Sequence, residues 1–204
     1  MALIYTLIAW REYGAAFLVA LGFDCLLRTG ELMTLTYGDI AFDKRGSQGV
    51  VRLLNTKTGQ RNAASEAVAI HDPLIYVLFR LLRRSLAERP MPNAYIYPRF
   101  PHHFRELFGR VCTVVGVGGC GYRPYSLRRG GATAFYKRTA SMDQTIERGR
   151  WSTAKVARLY ICDGLATAMQ ISHAQELRTL WRAQAIKVKK LCKHKEFGVP
   201  PPYC

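Results

Sequence analysis

Two arginines, a tryptophan and a tyrosine form the set of residues in this sequence with the clearest chemical potential. Arg28 lies in the segment LLRTGEL and Arg128 in SLRRGGAT. Trp151 and Tyr160 both lie in GRWSTAKVARLYI. Guanidinium groups match phosphate oxygens with paired donors and stay charged, and a positioned tyrosine can attack phosphorus. These residue types therefore predict a site that holds a phosphodiester and cleaves it.

A lysine could complete this chemistry by protonating the leaving group. Attack on a phosphodiester builds negative charge on the non-bridging oxygens, which the two arginines would stabilise. The departing sugar oxygen needs a proton, and a lysine on a hairpin tip can donate it as a general acid. Lys57, in the polar segment TKTGQ, is the candidate, although a lysine in a turn is usually only solvated.

The hydrophobic spacing predicts helices around one small sheet. Two runs, VVRLL and EAVAI, flank the segment that contains Lys57 and are typical of strands. The predicted fold is therefore α+β and mainly α, with a small antiparallel sheet near residues 50–70. The predicted helices cover residues 12–27, 31–35, 73–87, 102–115, 126–138, 142–149, 153–161 and 165–195.

The charge of the chain favours nucleic acid as its partner. There are 30 Lys and Arg residues against 14 Asp and Glu, which makes the net charge +16. An anionic membrane surface or an acidic partner is the alternative reading of this charge. The residues predicted to contact DNA are Arg129, Lys137, Arg138, Arg148, Arg150 and Lys155. Arg128 and Arg129 could instead form one exposed basic pair that makes ordinary phosphate contacts.

The cysteines and histidines predict neither a structural metal nor a disulfide framework. The six cysteines contain no CxxC pair, and the five histidines lack zinc-site spacing. We therefore expect no metal and no cofactor, and an intracellular, reducing compartment, either prokaryotic cytoplasm or a eukaryotic nucleus. The opening segment MALIYTLIAW lacks a basic region and a cleavage site, and is too short to span a bilayer.

Four segments, in order, resemble the motifs of the tyrosine recombinase (phage integrase) family. LLRTGELMTLTYGDI resembles the first arginine box, and TKTGQ is similar to the hairpin that carries the catalytic lysine. SLRRGGAT resembles the second arginine box. GRWSTAKVARLYI resembles the final box, in which His or Trp precedes the nucleophilic tyrosine by nine positions. The resemblance covers residues 12–165.

The resemblance implies a role for each matched residue. Arg28 and Arg128 would clamp the phosphate, and Glu31 would orient Arg28. Lys57 would be the general acid, and Trp151 would bind the phosphate through its indole N–H. Tyr160 would form a 3′-phosphotyrosyl bond, which needs neither metal nor ATP.

The resemblance also implies a domain organisation and an assembly. Residues 1–165 would form the catalytic domain, and residues 166–204 a basic helix and tail that pack on a neighbouring protomer. A solvated basic face and an arm that contacts DNA are the alternatives for this helix. No segment resembles the family's N-terminal core-binding domain, which we expect to be absent. The partner would be double-stranded DNA, bound by a homotetramer. We expect no membrane partner. The implied function is site-specific recombination, or integration of a mobile element.

One position departs from the family pattern. Tyr125 stands three residues before Arg128, where the family usually has histidine. A phenol can donate a hydrogen bond to a phosphate oxygen, but its reference pKa near 10 makes it a poor base at neutral pH. A DNA-binding relic of the same fold is therefore an alternative. Relaxation of DNA by a type IB topoisomerase and binding of RNA are two others.

Overall fold

Nine helices and a three-stranded sheet make up the described part of the chain. The computed structural model describes residues 1–54, 66–162, 164 and 173–193, with side chains through residue 191. The helices are α1 (Ala2–Ala9), α2 (Tyr13–Asp24), α3 (Thr29–Thr34), α4 (Pro73–Arg84), α5 (Pro101–Val114), α6 (Tyr125–Thr139), α7 (Met142–Gly149), α8 (Ala154–Arg158) and α9 (Gln175–Lys193). The strands are β1 (Ile40–Phe42), β2 (Gly49–Leu53) and β3 (Glu66–Ile70).

Helix α2 forms the centre of the core. Its sequence YGAAFLVALGFD is apolar around the whole helix, which is typical of a helix covered on all sides. It packs against α1, α4 and α6. Helix α4 begins as predicted, with Asp72 accepting a 2.9 Å hydrogen bond from the backbone N–H of Leu74 and with Pro73 in the first turn.

The sheet is antiparallel, in the order β1-β2-β3. Val51 pairs with Ile40 on one side and with Val68 on the other, and all three side chains are buried. The predicted strands and the mainly α, α+β class are confirmed. Strand β1 was not predicted, because three residues are too few to show an alternating pattern.

Close contact between α2 and α6 positions the second arginine box. Gly131 of α6 lies against the carbonyl oxygen of Phe23, where any Cβ atom would overlap that oxygen. Leu26, just beyond the end of α2, adopts a left-handed backbone with φ of +50°. The chain therefore turns beneath α6, and Arg28 follows at the start of α3.

Gly131→Ala is expected to destabilise the protein by about 1–3 kcal/mol, because the added methyl group must push α6 away from α2. Gly109→Ala is the matched control, since Gly109 lies inside α5 with open space where its Cβ would be. That control should be stabilising by about 0.5–1 kcal/mol. Urea denaturation measures both changes, and equal effects at the two glycines would contradict the close-contact argument.

Helix α9 packs on its own chain. Val188 is fully buried, α9 contacts α1 and α4, and the indole N–H of Trp181 donates to the Val115 carbonyl at 2.8 Å. The apolar residues of α9 are thus partly used within the chain, while Leu180 and Ile186 stay exposed. Packing of residues 166–204 on a neighbouring protomer stays a prediction. No helix among the described residues is long and apolar enough to cross a membrane.

Candidate active site

Arg28 caps the N-terminus of α3 together with Glu31. The Arg28 backbone N–H donates to Glu31 Oε2 at 2.7 Å, and Arg28 Nη1 donates to Glu31 Oε1 at 2.7 Å. The Arg28 side chain is 35% exposed, whereas that of Glu31 is 8% exposed. A buried carboxylate thus holds the guanidinium of Arg28 at the protein surface, where an anion can reach it.

Arg128 lies beneath this surface and is fully buried. Its Nη1 donates to the carbonyl oxygen of Leu26, and its Nη2 donates to the carbonyl oxygen of Gly149 at 2.6 Å. Burial, together with the nearby charge of Arg28, lowers the pKa of Arg128 to about 10. The guanidinium therefore stays charged at neutral pH. An exposed pair of Arg128 and Arg129 is excluded, because only Arg129 is exposed.

Two aromatic rings cover the guanidinium of Arg128. Its Cζ lies 4.9 Å from the ring centroid of Trp151 and 5.5 Å from that of Tyr160. The two rings are themselves in contact, with centroids 4.7 Å apart. The final sequence box and the second arginine box, which are separate in sequence, therefore form one cluster.

Several donors in this cluster have no acceptor. Both Nε1 of Trp151 and Nε of Arg128 are buried without a hydrogen-bond partner. A buried N–H that lacks an acceptor is unfavourable by about 1–3 kcal/mol, so such groups are uncommon in stable folds. Each of these N–H groups is therefore a candidate donor to a bound anion.

The two tyrosines of the cluster contact each other. The ring centroids of Tyr125 and Tyr160 lie 5.8 Å apart. Tyr125 is 46% exposed, and its partial burial, followed by a hydrogen bond with Tyr160, raises its pKa to about 12. Tyr125 is therefore a neutral phenol at physiological pH. It can position the hydroxyl of Tyr160, but it cannot serve as a base there.

The raised pKa of Tyr125 is expected to be visible in an NMR titration of ring-labelled tyrosine. Its resonance should titrate near pH 12, and Tyr160→Phe should lower that pKa by removing the hydrogen bond. The phenol of tyrosine has a pKa near 10 in unfolded chains. Protonation of Tyr125 therefore contributes its full stabilisation of the fold below about pH 10. That contribution is lost as the pH rises toward 12. An unchanged Tyr125 titration in Tyr160→Phe would contradict the shared hydrogen bond.

The prediction that Arg148 contacts DNA is wrong in this fold. Arg148 is buried, and its guanidinium donates to the Ala69 carbonyl at 2.7 Å and to the Asp24 carbonyl at 2.9 Å. It also forms a 3.1 Å ion pair with the Asp24 carboxylate. These contacts join α7 to β3 and to the end of α2, which leaves the guanidinium no free face for a phosphate.

Arg150 is also turned inward, although it was predicted to contact DNA. Its Nη2 donates to Glu31 Oε2 at 2.7 Å, and its side chain is 11% exposed. The sequence offers no signal for this contact, because Glu31 and Arg150 are 119 residues apart.

The remaining predicted DNA contacts lie on the surface. Four of these side chains are exposed: Arg129, Lys137, Arg138 and Lys155. Arg129 donates to Cys162 Sγ at 2.8 Å, and Arg138 lies over the ring of Phe135. Their contact with DNA stays a prediction. The predicted general acid, Lys57, lies outside the described residues.

Comparison with known proteins identifies the fold. No protein-family profile and no curated protein matches the chain. XerH site-specific recombinase bound to difH in a pre-cleavage complex matches 79% of this chain with a TM-score of 0.60 and 16% identity. XerH in a post-cleavage complex with palindromic difH matches 74%, with a TM-score of 0.58 and 15% identity.

This likeness shows the fold and no more. The chain spans less than half of the recombinase chains that it matches, 46% and 42% respectively. Within that span the architecture is the one predicted from the sequence motifs. The chain has a fold like that of a tyrosine recombinase catalytic domain.

Proposed function

We propose that this domain, with its tyrosine recombinase-like fold, binds double-stranded DNA and cleaves it through a 3′-phosphotyrosine bond on Tyr160. The observation that carries the proposal is the pair of buried donors without acceptors, Trp151 Nε1 and Arg128 Nε, beneath the ring of Tyr160. A scissile phosphate would give both donors an acceptor next to the nucleophile. The net charge of +16 would bring the DNA to this site.

We propose the following reaction for these groups. The Tyr160 hydroxyl loses its proton to water, and its oxygen forms a bond to phosphorus as the bond from phosphorus to the 5′-oxygen breaks. Arg28 and Arg128 stabilise the negative charge on the non-bridging oxygens. Lys57 is the proposed donor of the proton that the 5′-oxygen takes up. A 5′-hydroxyl from another strand then attacks the phosphotyrosine, which releases Tyr160 and rejoins the DNA.

Tyr125 limits how the nucleophile is activated. With a pKa of about 12, it does not remove the proton of Tyr160 near neutral pH. We propose that contact with the Tyr125 phenol orients Tyr160 for attack.

The finer proposal is site-specific recombination, or integration of a mobile element, by a homotetramer on DNA. The neighbours in fold are recombinase complexes with DNA substrates, which supports this reading over relaxation of a single duplex. A DNA-binding relic is the second candidate, because Tyr125 supplies no base at the position of the family's histidine.

A suicide substrate tests the proposal. A pool of duplexes with randomised sequence, each nicked near its centre, traps any covalent intermediate because the short cleaved fragment diffuses away. The expected result is a protein–DNA adduct whose linkage maps by mass spectrometry to the peptide that contains Tyr160. DNA binding without any adduct across the whole pool would favour the relic. Salt-sensitive binding alone does not distinguish the two, because any strongly basic domain shows it.

A further inference from the structure

Arg150 has an unusual backbone conformation at the edge of the phosphate site. It follows the last residue of α7 and precedes Trp151, with φ of +55° and ψ of 45°. This left-handed region disfavours residues other than glycine, unless contacts of the side chain compensate. The Arg150 side chain is 11% exposed, so its contacts lie within the protein.

Those contacts connect three parts of the fold. Arg150 Nη2 donates to Glu31 Oε2 at 2.7 Å, while Glu31 Oε1 accepts from Arg28 Nη1 at 2.7 Å. On its other side, Arg150 Nε lies 3.3 Å from Glu66 Oε2, within ion-pair distance but without hydrogen-bond geometry. A continuous series of charges therefore runs from Arg28 through Glu31 and Arg150 to Glu66, the first residue of β3.

This arrangement affects the charge available to a phosphate. Glu31 alone would neutralise Arg28, and the pair would present little net charge to an anion. With Arg150 and Arg128 included, the cluster contains three guanidinium groups and the two carboxylates of Glu31 and Glu66. Arg28 and Arg150 lie close enough to Arg128 for their positive charges to lower its pKa. The cluster thus keeps one net positive charge while the Glu31 carboxylate is held at both oxygens.

We infer that Arg150 is a positioning residue, which holds Glu31, and through it the guanidinium of Arg28, in the orientation that strand cleavage requires. The inference rests on the proposed cleavage function. It assigns Arg150 a role different from the DNA contact predicted for it, because its Nη2 and Nε face carboxylates rather than solvent.

A double-mutant cycle tests whether Arg150 acts through Glu31. Arg150→Gln, Glu31→Gln and the double variant are compared with wild type for DNA affinity and for the rate of adduct formation on the suicide substrate. Arg150→Gln should slow cleavage by about tenfold or more, and the double variant should be no slower than the slower single variant. The DNA affinity and its salt dependence should stay close to those of wild type.

Three results would overturn the inference. Additive losses in the double variant would mean that Arg150 acts independently of Glu31. A salt slope of DNA binding reduced by about one in Arg150→Gln would indicate a direct phosphate contact. An unchanged cleavage rate would leave Arg150 without a role in the reaction. If wild-type protein binds DNA but forms no adduct, the proposed function itself fails, which is a different result.

Two further variants separate positioning from folding. Arg150→Gly suits the left-handed backbone, so it removes the guanidinium while relieving the strain at this position. It should fold and should slow cleavage as much as Arg150→Gln does. Arg105→Gln removes the same charge from the exposed surface of α5 and should cleave at the wild-type rate. Equal slowing in Arg105→Gln would overturn the inference in favour of a simple effect of net charge.

Discussion

Tyr160→Phe is expected to abolish formation of the covalent protein–DNA adduct. The phenyl ring lacks the oxygen that forms the bond to phosphorus, and no rate remains for that step. The packing of the ring should survive, because its contacts with Trp151 and with the guanidinium of Arg128 involve the ring face rather than the hydroxyl. Adduct capture on the nicked duplex pool, with DNA affinity measured in parallel, should therefore show normal binding and no adduct.

Tyr125→Phe is the matched control for this variant. Both phenols belong to one hydrogen bond, so an adduct in wild type does not by itself identify the attacking oxygen. Loss of the Tyr125 hydroxyl removes one hydrogen bond and should slow cleavage by about tenfold at most. An adduct that persists in Tyr160→Phe and disappears in Tyr125→Phe would identify Tyr125 as the nucleophile and would contradict the proposal.

Arg128→Lys is expected to slow adduct formation by about 10²–10³-fold, the usual effect of removing one donor to a developing oxyanion. A lysine keeps the charge but places all its donors on one nitrogen, whereas Arg128 reaches the carbonyl oxygens of Leu26 and Gly149 with two separate nitrogens and keeps Nε for the phosphate. DNA affinity should change little, because the exposed cations on the protein surface account for most of it.

Arg129→Lys is the control for this prediction, since Arg129 is adjacent in sequence but exposed. It should cleave at close to the wild-type rate. Thermal unfolding of both variants shows whether the loss of activity in Arg128→Lys follows from unfolding. If cleavage by Arg128→Lys is normal, or is slowed no more than by Arg129→Lys, Arg128 does not stabilise the transition state.

The sequence predicted most of the secondary-structure elements well, because each depends on local spacing. Apolar residues at helical and strand periods located most of the described elements, including the strands around residues 50–70. Motif order placed Arg28, Arg128, Trp151 and Tyr160 in one hypothesis. In the fold, Arg128, Trp151 and Tyr160 contact one another. Lys57 stays a prediction from its motif alone.

The sequence was a poor guide to which basic residues face solvent. Arg148 and Arg129 are equally basic and both lie in or next to a conspicuous motif, yet only Arg129 is exposed. The contact that buries Arg148 is with Asp24, 124 residues earlier, and that of Arg150 is with Glu31, 119 residues earlier. No local pattern marks either pair.

Thus the sequence by itself determined the fold class, the order of the motifs and the residue types that a phosphodiester site needs. Only the tertiary structure decided that Arg128 is buried beneath two aromatic rings, that Arg148 joins secondary-structure elements, and that Arg150 holds Glu31. The physical reason is the range of the interactions. The spacing of apolar residues shows which face of a segment packs against the core. Ion pairs and ring stacking depend instead on which distant segments the completed fold brings within a few ångströms.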